Sequence, residues 1–220
     1  MSKNLLWTLV VIGTAAVVIF TVLVVSGPPG APTSRSARSG AVPEELLVRP
    51  DSHRLSTAPR SEVTLVEFLD FECGSCGAAY PAVEQLRRDY AGRLDYVVRY
   101  FPIPSHRNAD LAAQAAEAAA AQGEFEAMYR MLFENQDAWA GAQESQEATF
   151  VGYAERIGLD TARFRTDLHS PATAERVQRD RDDGLAAGVT GTPTFFLNGE
   201  QLRPESYGDL VAAVEDALRR

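Results

Sequence analysis

The first hydrophobic pattern in the chain is a block: Leu5 to Val25 is 21 residues without a charge, preceded by Lys3 and the α-amino group. At about 1.5 Å per residue, a helix over that block spans roughly the 30 Å hydrocarbon core of a bilayer. A cleaved leader is the rival reading, but its apolar core is usually about 7–15 residues. The following Ser26-Gly27-Pro28-Pro29-Gly30-Ala31-Pro32 also makes a poor small-x-small cleavage site. The pattern therefore favours an uncleaved signal anchor over 1–25. Arg35 and Arg38 follow closely and compete with Lys3 under the positive-inside rule, so charge alone does not orient the span. Residues 26–60 read as a tether and lead-in. Up to Pro43 they are rich in Pro, Gly, Ser and Ala without apolar period, and from Glu44 to Arg60 they are compatible with a short edge strand.

From residue 61 the pattern becomes that of a folded domain running to 220. Glu62–Leu69 has the length and β-branching of a buried strand. Ala79, Val83 and Leu86 then fall on one face of a helix that runs to about Tyr90 with Pro81 inside, where a kink is expected. Leu94–Phe101 is a second strand, stopped by Pro102 and Pro104. A helical region follows: Ala-rich Asp110–Gln122, a face of Phe125, Met128, Leu132 and Phe133, Thr149–Ile157, a short helix capped by Asp160, and a last one opened by Pro171. Gly191–Leu197 returns to strand, Asn198-Gly199 is a two-residue hairpin signal, and Glu200–Leu202 is the return. Pro204–Leu218 closes the chain as an amphipathic helix with Leu210, Val211, Val214 and Leu218 inward. The order is β-α-β, a helical insertion over about 105–187, then β-β-α, without internal repeat.

Composition narrows the possibilities. A hydrophobic content of 45% and a charged content of 23% suit an ordinary globular domain. A net charge of -9, with no Lys/Arg cluster, argues against a nucleic-acid partner. The chain has two cysteines, Cys73 and Cys76, too few for a disulfide scaffold. His53, His106 and His169 lie far apart, which disfavours a zinc site, and read as surface or capping residues.

Cys73-Gly74-Ser75-Cys76 stands between a buried strand and a helix. A thiol there faces unpaired backbone N–H groups and the positive end of the helix dipole, so its thiolate is favoured. The pair reads as a redox couple; an inert disulfide is the alternative. Glu67 interrupts the apolar strand, and a buried carboxylate is costly unless paired or neutral. It is either a functional buried acid or a glutamate facing solvent at an edge.

With Pro81 following the cysteines, Gly188-Val189-Thr190-Gly191-Thr192-Pro193-Thr194 entering the late strand, and Ala115-Ala116-Glu117-Ala118 and Leu132-Phe133-Glu134-Asn135-Gln136 in the insertion, the chain resembles the thioredoxin superfamily, and more closely its DsbA-like branch. The resemblance covers about Glu62 to Leu218 and implies an α/β thioredoxin fold, a central mixed sheet flanked by helices; the hydrophobic block sets one N-terminal transmembrane helix ahead of it. It implies that Cys73 forms the mixed disulfide and Cys76 resolves it, that Pro193 is a cis-proline facing the pair, and that Thr192 contacts cysteines and substrate. It also implies that Glu67 relays the proton of Cys76. The DsbA pattern has Pro-His between its cysteines where this chain has Gly74-Ser75, and Asp70 and Glu72 carry like charge beside the thiolate. Cys73 is therefore expected between about 3.5 and about 7, the values of DsbA and thioredoxin, making a weaker oxidant than DsbA.

The implied activity is a protein disulfide oxidoreductase, anchored as a single-pass protein of the cell membrane with its catalytic domain extracytoplasmic, giving disulfides to exported proteins. It needs no cofactor beyond the Cys73–Cys76 disulfide and no metal. It does need a membrane redox partner of DsbB or VKOR type. A reductase or isomerase of the same fold and a client-binding module without turnover are the alternatives.

Overall fold

The computed structural model describes residues 41–58 and 63–220. The expected span Leu5–Val25 lies outside the described residues, and among those described no helix is long and apolar enough to cross a membrane. The lead-in is part of the fold: it supplies α1 (Glu44–Leu47) and the edge strand β1 (His53–Ser56). β2 (Thr64–Leu69) and α2 (Gly74–Asp89) follow, the helix continuous through Pro81, and then β3 (Asp95–Tyr100). The helical region comprises α3 (Ala109–Ala120), α4 (Phe125–Glu134), α5 (Glu147–Arg156), α6 (Thr161–Leu168) and α7 (Pro171–Ala186). β4 (Thr194–Leu197), β5 (Glu200–Leu202) and α8 (Tyr207–Arg219) close the chain.

The five strands form one mixed sheet in the order β1-β3-β2-β4-β5. β2 is central, parallel to β3 and antiparallel to β4, while β1 and β5 run antiparallel to their neighbours. The parallel pair needs a crossover, which α2 provides. Asn198 and Gly199 take the positive φ values of 50° and 87° that a two-residue hairpin between β4 and β5 requires. Asp160 caps α6 by accepting from the Ala162 and Arg163 amides, and Ser170 caps α7 ahead of Pro171.

Side chains alternate across β2. Leu65 and Leu69 face the larger core, with Cys76, Val83 and Leu86 of α2 and the buried alanines of α3. Val66 and Phe68 face a smaller core with Leu47, Val97, Phe101 and Phe196. A period of two puts Glu67 on the Leu65–Leu69 face, toward Cys76. The alanines of α3 allow close helix packing, since Ala112, Ala115, Ala116, Ala118 and Ala119 have no exposed surface.

The fully buried Arg99 of β3 ties the lead-in to the sheet. Its guanidinium donates to Asp180 at 2.7 Å, to Asp183 at 2.6 Å, and to the Leu46 and Leu47 carbonyls at 3.0 and 2.8 Å. Asp183 also pairs with Arg49. A buried charge persists when its donors are matched this way. His53 is not the solvated residue its position suggested: its ring stacks on Phe125 at 3.8 Å and bonds Glu117 at 2.6 Å.

Candidate active site

Cys73 is the N-cap residue of α2 and is half-buried; Cys76, one turn later, is 1% exposed. Both are free thiols. Their environments push them apart. Cys73 is pulled down to about 4, first by a hydrogen bond from the Cys76 thiol and then by the Thr192 side chain and the amides of Cys76 and Ser75, against the cost of burial. Cys76 is pushed well above its ordinary value by burial, by its donation to Cys73, and by the negative charges of Glu67 and Cys73. One sulfur is thus a ready nucleophile at neutral pH and its neighbour holds a proton.

Thr192 meets Cys73 with two groups. Its carbonyl accepts from the Cys73 thiol at 3.4 Å. Its hydroxyl is buried and has no other hydrogen-bond partner among the described residues, which leaves it to donate once the sulfur is deprotonated. The Thr192–Pro193 peptide bond is cis, immediately before β4. Sequence reasoning named Thr192 and Pro193 through the resemblance, and the fold brings them to the cysteine pair across more than a hundred residues.

Glu67 lies 3% exposed on the central strand, between Val98 of β3 and Phe195 of β4, which removes the solvated-edge alternative. Burial pushes its carboxyl up to about 7; the Tyr96 hydroxyl, donating to it, opposes that, and the charges of Glu84 and Cys73 add to it. A buried acid titrating near neutrality, and raising Cys76 by its charge, is suited to exchanging a proton with that thiol.

Asp70 and Glu72, expected to oppose the thiolate, spend their charge elsewhere. Asp70 accepts from the Glu72 amide at 2.8 Å, the Ile103 amide at 2.9 Å and His106 Nδ1 at 2.6 Å. Glu72 accepts from the Asn108 amide at 2.6 Å and the Gly141 amide at 2.9 Å. The value of about 4 for Cys73 therefore falls near the lower end of the expected interval.

Two contributors were missed. Gln136, in the single 3-10 turn after α4, donates to the Phe71 and Cys73 carbonyls at 2.7 and 3.0 Å. It fits because residue 77 is glycine: a Cβ there would stand 2.0 Å from the Gln136 side-chain oxygen Oε1. His106 binds Asp70 rather than standing free at the surface. Gln136 closes the Leu-Phe-Glu-Asn-Gln stretch and His106 follows the two prolines, and position was the only signal either carried.

A family model described as thioredoxin matches residues 54–216. Among solved structures, a thioredoxin-like oxidoreductase from Silicibacter pomeroyi DSS-3 superposes with a TM-score of 0.67 at 27% identity, covering 81% of this chain and 99% of that one. BdbD from Bacillus subtilis, in its oxidised form, gives 0.70 at 19% identity over 82% and 97% of the two chains, a likeness of fold. Two curated relatives are named Na(+)/H(+) antiporters NhaA. The one from Herminiimonas arsenicoxydans is 39% identical over 176 residues, 80% of this chain and 27% of its own. The one from Salinispora tropica is 40% identical over 184 residues, 83% of this chain and 27% of its own. The chain thus spans about a quarter of the length of these relatives.

Proposed function

The chain belongs to the thioredoxin family, and from that premise we propose that it is a thiol:disulfide oxidoreductase that donates the Cys73–Cys76 disulfide to exported proteins. The observation that carries the reading is the split between the two sulfurs, Cys73 at about 4 beside a Cys76 that keeps its proton. A stabilised thiolate stabilises the reduced form and makes the disulfide a stronger oxidant. In the proposed cycle, a client thiolate attacks the disulfide at Cys73 and displaces the Cys76 sulfur, which takes a proton from Glu67. A second client thiolate then releases Cys73 as a thiolate. Thr192 and Pro193 line the position of the client strand.

In our reading Leu5–Val25 anchors the chain and the domain works outside the cytoplasmic membrane, with a membrane partner of DsbB or VKOR type to restore the disulfide. The antiporter names support a second reading of the client: relatives so named match this chain over about a quarter of their length, which makes an Na(+)/H(+) antiporter a second candidate.

The test is the reduction potential of the full chain, equilibrated against glutathione. Thioredoxin and DsbA, with thiols near 7 and 3.5, have potentials of about −270 and −120 mV. A donor with Cys73 at about 4 is expected between those values and nearer the latter. A potential at or below that of thioredoxin overturns donation in favour of a reductase. Clients trapped as mixed disulfides on Cys76→Ser then decide between exported proteins and a transporter.

A further inference from the structure

The turn carrying the cysteines is gripped by a side-chain pair to which the exchange cycle gives no role. Asp70 is the hub of that turn: its carbonyl accepts from the Cys73 amide at 3.1 Å, and one carboxylate oxygen accepts from the Glu72 amide. Its other oxygen is shared by the Ile103 amide and His106 Nδ1, at 2.9 and 2.6 Å. Asp70 is buried, whereas the His106 side chain keeps 31% of its surface exposed. The pair therefore joins the inside of the redox turn to solvent.

The charges that act on His106 from the turn, those of Asp70, Cys73 and Glu72, are all negative, and only Asp70 touches it; on its own loop the neighbouring Arg107 is exposed. Burial alone would pull the imidazole below its ordinary value. The Asp70 hydrogen bond and charge, followed by the charges of Cys73 and Glu72, outweigh that and push it above. Asp70 and Glu72 take no part in the thiol–disulfide step. The Cys73 contribution exists only when the pair is reduced, because a disulfide sulfur carries no charge.

We propose that His106, seated on Asp70, is the positioning residue that takes up the second proton when the cysteine pair is reduced. The inference rests on the exchange reading. A client dithiol that becomes a disulfide gives up two electrons and two protons. The electrons break the Cys73–Cys76 bond, one proton ends on Cys76, and Cys73 is left as a thiolate. The remaining proton goes to the His106 ring, whose positive charge then faces that thiolate. Thermodynamic reciprocity makes the effect two-way: if reduction tightens proton binding at His106, protonation of His106 favours the reduced pair. A cation supplied from the loop after β3 thus serves a turn whose own residues, Gly74 and Ser75, are neutral.

The chain has three histidines, so the ring C–H resonances of the full chain give a simple NMR titration, assigned with His106→Gln. The His106 midpoint is expected above its ordinary value in the reduced protein and lower in the oxidised protein. Equal His106 midpoints in the two states overturn the proposal. Thiolate absorbance near 240 nm supplies the second readout. His106→Gln should raise the Cys73 midpoint by roughly one unit, tenfold less thiolate below it, and His106→Lys should restore it. A merely structural role predicts that Gln and Lys behave alike. A wild type that fails to oxidise clients while His106 still follows the redox state refutes the exchange reading and leaves this linkage standing. Turnover with an unresponsive His106 refutes the linkage alone.

Discussion

Replacing Glu67 with Gln separates the cost of the buried acid from its use. The carboxyl is 3% exposed and titrates at about 7 instead of 4.5, a difference of 7 − 4.5 = 2.5 units. At 1.36 kcal/mol per unit this is about 3 kcal/mol. The sign follows from where the proton binds more tightly. The folded state holds it up to about pH 7 and the unfolded chain releases it near 4.5, so stability is full below 4.5 and is lost as pH rises through 7. Glutamine has nothing to ionise and still offers an oxygen to the Tyr96 hydroxyl. The two proteins should be about equally stable at pH 4.5, and Glu67→Gln should be more stable by about 3 kcal/mol at pH 8.5. Urea unfolding of both reduced proteins at several pH values measures the gap. The same variant should resolve a Cys73–glutathione mixed disulfide about tenfold or more slowly, within the range of general acid–base catalysis. A stability gap that does not change with pH would refute the raised carboxyl. An unchanged resolution rate would refute the proton relay.

Two further predictions follow from contacts at the same site. Thr192→Val deletes the hydroxyl that stabilises the thiolate, and a hydrogen bond to a charged group is worth about 1.5–3 kcal/mol. The Cys73 midpoint should rise by roughly one to two units in a thiolate titration, with little change in Tm because that hydroxyl has no other partner among the described residues. Gly77→Ala drives a Cβ onto Gln136 and should cost about 1–3 kcal/mol by urea unfolding. Adding Gln136→Ala should recover part of that loss, and strictly additive losses in the double-mutant cycle would contradict the clash.

The parts of the molecule legible in the sequence are those whose cause is local. β2 and β3 show as runs of β-branched and aromatic residues, the β4–β5 hairpin as Asn198-Gly199, and the α6 cap as Asp160, each within a residue or two of its place in the structure. The cysteine pair was legible because strand, turn and helix are contiguous, and Glu67 because a carboxylate stands out in an apolar strand. His106 and Gln136 were not, since they reach the redox turn from 36 and 65 residues away in sequence. No periodicity encodes a loop side chain that docks on a distant carboxylate or carbonyl. The like-charge expectation for Asp70 and Glu72 failed for the same reason: the amides that absorb their charge come from Ile103, Asn108 and Gly141.

The grip of Gln136 on the Phe71 and Cys73 carbonyls has a consequence for how the protein opens. Proteins unfold locally in cooperative units, and amide hydrogen exchange reports the free energy of each. The first turn of α2 shares its anchoring hydrogen bonds with the 3-10 turn of the insertion, so neither can detach without releasing the other. Amides at the start of α2 and around Gln136 should therefore exchange at a common rate, set by the less stable of the two segments. A client or membrane partner that peels the insertion back would disarm the nucleophile in the same movement, so the lifetime of a competent site is the lifetime of that docking.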